Sequence, residues 1–296
     1  MSFDRKPRAR GLGVPFDGPC GTANAITDVP GVLVGHNPPT QGLHTGVTAI
    51  LPLGNVTRPD PAYPNGLADP DHPGIDTFVL AAWFTLNGCG EMTGTTWIEE
   101  SGFLEGPILL TNTASVGTVR DAVMQFSKSQ QPQPIDPDQF GLYLPVVAET
   151  YDGWLNDILQ FQGAADMVDS AIKGAKAYTD SHPAEEGNVG GGTGMTCYGW
   201  KGGIGTSSRK NVKIYAGLPP PPPFQQIGPS AGYTVGVLVQ ANQGTYWDLV
   251  VRGAPVGREM TPPSTPDVPP PPGGPNPSPH GQAPQARRSR KSSIIV

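Results

Sequence analysis

Apolar residues along this chain recur with two different spacings, and each change of spacing marks an element. Within residues 24–53, VLVGH and GVTAILPL are short aliphatic runs broken by Pro/Gly turns, which predicts two strands. TFVLAAWFTLNG (77–88) is an unbroken apolar run that suits a strand or a helix equally. PILLTN (107–112) predicts a strand running into a helix from about Ser115. Ser115 can cap that helix, and Val116, Val119, Val123 and Phe126 fall on one face. PVVAETYDG (145–153) predicts a strand entering a turn. Ala164, Met167, Val168, Ala171, Ile172 and Ala175 give a second amphipathic helix. After a glycine-dense stretch, YTVGVLVQAN (233–242) and YWDLVVRG (246–253) predict two further strands. SSIIV (292–296) opens another strand of buried character. Strands outnumber helices and the helices fall in the middle, which predicts a layered α+β fold rather than regular βαβ alternation.

Composition changes this picture at two places. Of the 36 prolines, eleven fall between Thr261 and Gln285 and five stand together at Pro219–Pro223. Both tracts predict exposed, partly polyproline II chain, and outside them the composition is that of a globular domain. A net charge of −6 speaks against a general nucleic-acid surface. Cys20, Cys89 and Cys197 are too scattered for a disulfide framework or a zinc site, so no metal is expected. No apolar stretch follows the basic start as in a secretory signal, and no run reaches membrane-spanning length. The expectation is a soluble, cytoplasmic protein in which the sequon at Asn55 is a chance occurrence.

Three stretches carry candidate chemistry. EGNVGGGTGMTCYGWKGGIGTSSR (186–209) has the backbone freedom to cradle an anion, yet lacks GxxxxGK[ST] and a GxGxxG between strand and helix. Tight turns and close strand packing account for most of its glycines. In NGCGEMTGTTWIEESGFLEGP (87–107), Glu91, Glu99, Glu100 and Glu105 offer a carboxylate pair for acid–base work, against which stand solvated loop carboxylates. Asn242, at the end of a strand before Gln-Gly, can donate to an oxyanion or simply make the turn. The five histidines are scattered, and no Ser/His/Asp arrangement stands out.

Taken in order, these segments resemble the DmpA-like aminopeptidases (L-aminopeptidase/D-esterase and β-peptidyl aminopeptidase), the self-processing serine hydrolases of peptidase family S58. The similarity runs through RARGLGVPFDG, NAITDVPGVLVGH, TGVTAILP, LNGCGEMTGTTWIEESGFLEGPILLTNTASVGTVRDAV, LPVVAETYDGWLND, the glycine-dense segment, YTVGVLVQANQG and the final SSIIV. It implies an αββα sandwich, shared with ornithine acetyltransferases and incomplete here because most of a β chain is absent. It further implies a precursor that cuts its own backbone between Ser292 and Ser293. Ser293 then becomes both the new N-terminus and the nucleophile. By the same resemblance Asn242 stabilises the oxyanion, while Glu149 and Tyr151 line the substrate pocket, the carboxylate holding the substrate's free amino group.

The implied activity is hydrolysis of an amide or ester next to a free amino group, on a small peptide or aminoacyl substrate, without metal or organic cofactor. The implied assembly is a homo-oligomer of αβ units, with no nucleic-acid or membrane partner. The chain divides as residues 1–260 for the α-chain portion, 261–292 for a Pro-rich, basic-ended linker, and 293–296 for the start of the β chain. The family commonly has Gly before its nucleophile, where this chain has Ser292, which predicts slower self-cleavage. Two rival readings are a truncated, non-catalytic fragment and an acyltransferase. The related acyltransferases use a Thr nucleophile, and Ser293 speaks against them.

Overall fold

Four strands buried on both faces organise the core. Strand β1 (Leu33–His36) pairs antiparallel with β2 (Thr48–Leu51). A hairpin of β3 (Phe78–Leu80) and β4 (Phe103–Glu105) brackets helix α1 (Thr95–Ser101). Strand β5 (Ile108–Asn112) returns antiparallel to β2 and takes β6 (Val146–Thr150) in parallel on its other side, giving the order β1-β2-β5-β6. A parallel neighbour needs a crossover, and helix α2 (Val116–Gln130) lies in that connection. Leu33, Ala49, Leu51, Leu109 and Val147 point to one face. There they bury Val116, Val119 and Val123 of α2 with Met167, Val168, Ala171 and Ile172 of helix α3 (Ala164–Lys173).

The alternate residues Val34, Ile50, Leu110 and Ala148 point to the other face and meet a second sheet. Its hairpin β7 (Thr196–Cys197) and β8 (Trp200–Lys201) leads into β9 (Gly203–Val212). After the short pair β10 (Ile214–Tyr215) and β11 (Gln226–Ile227) comes β12 (Tyr233–Asn242), antiparallel to β9. The last strand, β13 (Ser293–Ile295), pairs antiparallel with the end of β12. Ile204 of β9 and Leu238 of β12 complete the core between the sheets. The layers are therefore helix, sheet, sheet, an α+β architecture. These statements rest on a computed structural model describing residues 7–40, 42–52, 54, 78–130, 144–159, 163–179, 181–215, 226–227, 232–260 and 293–295. Both proline tracts, the Asn55 sequon and Ser292 lie outside the described residues. No helix among them is long and apolar enough to cross a membrane.

The two periodic helices lie where their spacing predicts, but four expectations need correction or completion. The helix cap after β5 is Asn112, whose side-chain oxygen accepts the Ser115 N–H at 2.9 Å; Ser115 receives that bond rather than supplying it. The 77–88 run is strand only at Phe78–Leu80, and Phe84 and Leu86 beyond it are largely exposed. YWDLVVRG is not a strand. Asp248 accepts from the Thr245 N–H and hydroxyl, both at 2.9 Å, and closes a 3-10 turn over Tyr246–Asp248. Helix α4 (Val256–Glu259) then packs on that turn. Strand β9, ten residues long, begins within the glycine-dense stretch and runs three residues past it, and the sequence pattern does not mark it.

One half-buried polar group at the core predicts an acid response. His36 holds Thr48 Oγ1 at 2.9 Å through Nδ1 and the Tyr178 hydroxyl at 3.1 Å through Nε2. Burial lowers its pKa to about 4, opposed by the Glu185 carboxylate and assisted by Lys176. Below about pH 6.5 the unfolded chain takes up a proton that the folded chain refuses until about pH 4. Stability held above pH 6.5 is therefore lost as pH falls through that window, by up to about 3 kcal/mol. Denaturant unfolding of wild type and His36→Gln across pH 4–7 checks this: the variant should lack that part of the slope.

Candidate active site

The site lies where β12 ends and β6 runs into its turn, two strands belonging to different sheets. Asn242 closes β12 and is buried. Its Oδ1 accepts the Tyr151 N–H at 3.1 Å and its Nδ2 donates to the Thr196 carbonyl at 3.0 Å. Those two partners fix which way the amide faces. One of the two Nδ2 hydrogens is used by Thr196, so the other is left for a further acceptor among the described residues. In the register of β12 and β13, Ser293 stands opposite Asn242, Ile294 opposite Ala241 and Ile295 opposite Gln240. The backbone of β13 also runs beside β6. Directly opposed residues of an antiparallel pair have Cα atoms about 4.5–5.5 Å apart. Two of the residues singled out from sequence, 51 positions apart, thus share one rung of a ladder.

The other two come from the end of β6. Glu149 is buried, with Oε1 accepting the Glu91 N–H at 2.9 Å and Oε2 accepting the Thr113 hydroxyl. Both donors leave lone pairs on the carboxylate for a cation. Tyr151 is 41% exposed, stands edge-on to Trp154 at 6.3 Å, and folds its ring back over Gly153, where a Cβ would collide with the hydroxyl. Of the four glutamates from the 87–107 stretch, Glu91 meets this site only through its backbone. Glu99 and Glu105 accept from Trp83 Nε1 at 3.0 Å and Trp97 Nε1 at 2.9 Å, and Glu99, like Glu100, is exposed. The solvated-carboxylate account therefore suits that stretch better than a catalytic pair.

Several supporting residues escape a reading by motif. Asp152 is fully buried, and its Oδ2 accepts from Asn112 at 2.9 Å and Asn156 at 3.2 Å. Burial raises its pKa, with the Asn112, Thr45 and Asn156 side chains acting the other way. Thr150, also buried, donates to Met195 Sδ at 2.9 Å and accepts from Gln240 Nε2 at 2.8 Å. Every residue from Glu149 to Asp152 is thus tied to a neighbouring element through a side-chain bond. The glycines at 190–192 pack as the close-approach account predicts. Gly191 sends its N–H to Thr48 Oγ1 at 3.0 Å, and a Cβ there would run into Gln240 Oε1 and the Leu110 carbonyl.

The family description "Peptidase family S58" matches residues 24–296. The chain belongs to peptidase family S58. This S58 chain is 45% identical over 264 residues to the β-peptidyl aminopeptidase BapA of Sphingosinicella microcystinivorans, and 42% identical over 264 residues to that of Sphingosinicella xenopeptidilytica. Each alignment covers 86% of this chain but 56% of the relative, so the S58 chain spans little more than half the length of the curated relatives it matches. Among solved structures it is similar to the L-aminopeptidase D-Ala-esterase/amidase of Ochrobactrum anthropi, described as a serine aminopeptidase with a variant of the Ntn hydrolase fold. The match has TM-score 0.64 and 39% identity, and covers 86% of this chain and 63% of that one. It is equally similar to a β-aminopeptidase of a Burkholderia species, with TM-score 0.65 and 39% identity over 86% of this chain and 62% of that one.

Proposed function

We propose that this chain is the larger, α-chain portion of a self-processing serine aminopeptidase. In this reading an amide or ester next to a free amino group is hydrolysed through an acyl-enzyme on Ser293. A serine hydroxyl is a poor nucleophile at neutral pH and needs a proton acceptor. Cleavage between Ser292 and Ser293 turns the Ser293 nitrogen from a non-basic amide into an α-amine of pKa about 8, beside its own hydroxyl. That amine takes the hydroxyl proton as Oγ attacks the carbonyl, and returns a proton to the leaving amine. Asn242 supplies a donor to the tetrahedral oxyanion. Glu149 holds the substrate's ammonium and Tyr151 forms part of the pocket wall. Residues 1–260 then form the α-chain portion, 261–292 the linker, and Ser293 opens a β chain whose further helices complete the αββα sandwich. Processed αβ units assemble as a homo-oligomer. No step requires a metal or an organic cofactor.

The observation that carries this reading is the register that sets Ser293 opposite Asn242. An oxyanion donor has to lie within a few ångströms of the nucleophile's target, and adjacent strands meet that requirement without a loop to order. Peptidase family membership and the named aminopeptidases among the relatives support the same chemistry. The test uses the polypeptide extended to the length of its relatives. Intact-mass measurement should find two chains, the smaller beginning at Ser293. A panel of L-, D- and β-aminoacyl p-nitroanilides should be turned over only by the cut protein. Normal hydrolysis by protein with an uncut junction would overturn the mechanism.

A further inference from the structure

Gln240 lies two positions before Asn242 on β12 and is fully buried between the sheets. Residues two apart on a strand share a face, so both amides reach toward the first sheet. Gln240 Nε2 donates to the Thr111 carbonyl of β5 at 2.9 Å and to Thr150 Oγ1 of β6 at 2.8 Å. One step along, Asn242 Oδ1 receives the Tyr151 N–H. Two side-chain amides therefore rivet the strand carrying Asn242 to the strand leading from Glu149 to Tyr151.

The rivet is costly as a mere stabiliser. Gln240 Oε1 is buried and finds no hydrogen-bond partner among the described residues. Exchanging it with Nε2 would bring an oxygen against the Thr111 carbonyl, so the orientation is set by the two acceptors. An orphaned buried acceptor lowers stability, a cost that an apolar side chain of similar size would not incur. What an apolar residue cannot provide is direction. Apolar sheet faces slide and repack at little cost, whereas a donor shared between two acceptors holds one offset.

We propose that Gln240 is a positioning residue, whose bonds to Thr150 and Thr111 set the offset between the Asn242–Ser293 strand pair and the Glu149–Tyr151 wall of the pocket. The inference rests on the function proposed above. Its place in that function is to keep the oxyanion donor aligned with a substrate whose amino group is held by the other sheet. Misplacement by a fraction of an ångström weakens transition-state contacts more than ground-state binding.

The experiment compares Gln240→Met and Thr150→Val with wild type and Asn242→Ala, all in the extended, processed enzyme. Each substitution keeps side-chain size and removes one end of the same bond. Either should lower kcat by roughly tenfold with KM within about twofold. The double variant should lose no more than the worse single one, because both cut the same link. Full kcat in both variants, with only the thermal midpoint lowered, would reduce Gln240 to a packing role and overturn the proposal. So would multiplicative losses in the double variant. If Asn242→Ala itself keeps full kcat, the oxyanion assignment has failed and this inference falls with it. If Asn242→Ala loses activity and Gln240→Met does not, the inference alone has failed.

Discussion

Replacing Ser293 by Ala should leave the extended polypeptide as one uncut chain and lower its turnover of aminoacyl p-nitroanilides on the order of 10⁴-fold or more. The substitution removes one oxygen atom yet strikes both events in which that atom is used. In the self-cleavage proposed here the Ser293 hydroxyl attacks the carbonyl of Ser292, and the backbone passes through an ester before water releases the two chains. In the proposed turnover the same hydroxyl attacks the substrate, with the newly freed amine as base. An alanine there has neither the nucleophile nor, because its nitrogen stays an amide, the base. Two measurements on one sample separate the events: a denaturing gel for the cut and an initial rate for turnover. The pH profile of the wild type gives a further signature. Turnover should rise with pH through the α-amine's range near 8, since only the unprotonated amine accepts the proton. A Ser293→Ala protein that is still cut at the same bond would show that the hydroxyl plays no part in processing.

Strand β12 was legible from sequence because YTVGVLVQAN carries enough apolar and β-branched residues to declare itself, and α2 and α3 because their apolar faces repeat every three to four residues. Strand β9 was not, because after Ile204 its inward positions are polar. Thr206 and Ser208 are buried, and each is satisfied from a distant segment: Thr206 by Ile26 and Val237, Ser208 by Gly21 and Asp28. A pattern of apolar alternation cannot see such a strand, since its partners lie far away in sequence. The same reasoning divides the site. Asn242 and Ser293 were reached through resemblance to a family, and Asn242 by its residues alone reads rather as a turn. Gln240 and Thr150 gave no signal at all: a Gln in a strand marks itself only when both sheets are in place. The YWDLVVRG misreading has the opposite cause, a local Thr-Asp capping interaction that outweighs β-propensity in a segment outside the two main sheets.

Asn242→Ala should lower kcat of the processed enzyme by roughly 10²-fold or more, with a smaller change in KM. In the proposed reaction the amide's spare N–H is worth most where charge develops. Its loss also strips partners from the Tyr151 N–H and the Thr196 carbonyl, so a lower thermal midpoint is expected alongside. Asn242→Asp tests the charge. A carboxylate keeps the shape and can still accept from Tyr151, but it donates nothing and sets a negative charge where the oxyanion forms. It should therefore turn over more slowly than alanine, while its second oxygen, set against the Thr196 carbonyl, leaves stability no better. Kinetics on the purified, fully cut fraction, paired with thermal unfolding of each variant, reads the contrast directly. An Asp variant as active as the wild type would take Asn242 out of the oxyanion site and return it to the role of a turn residue.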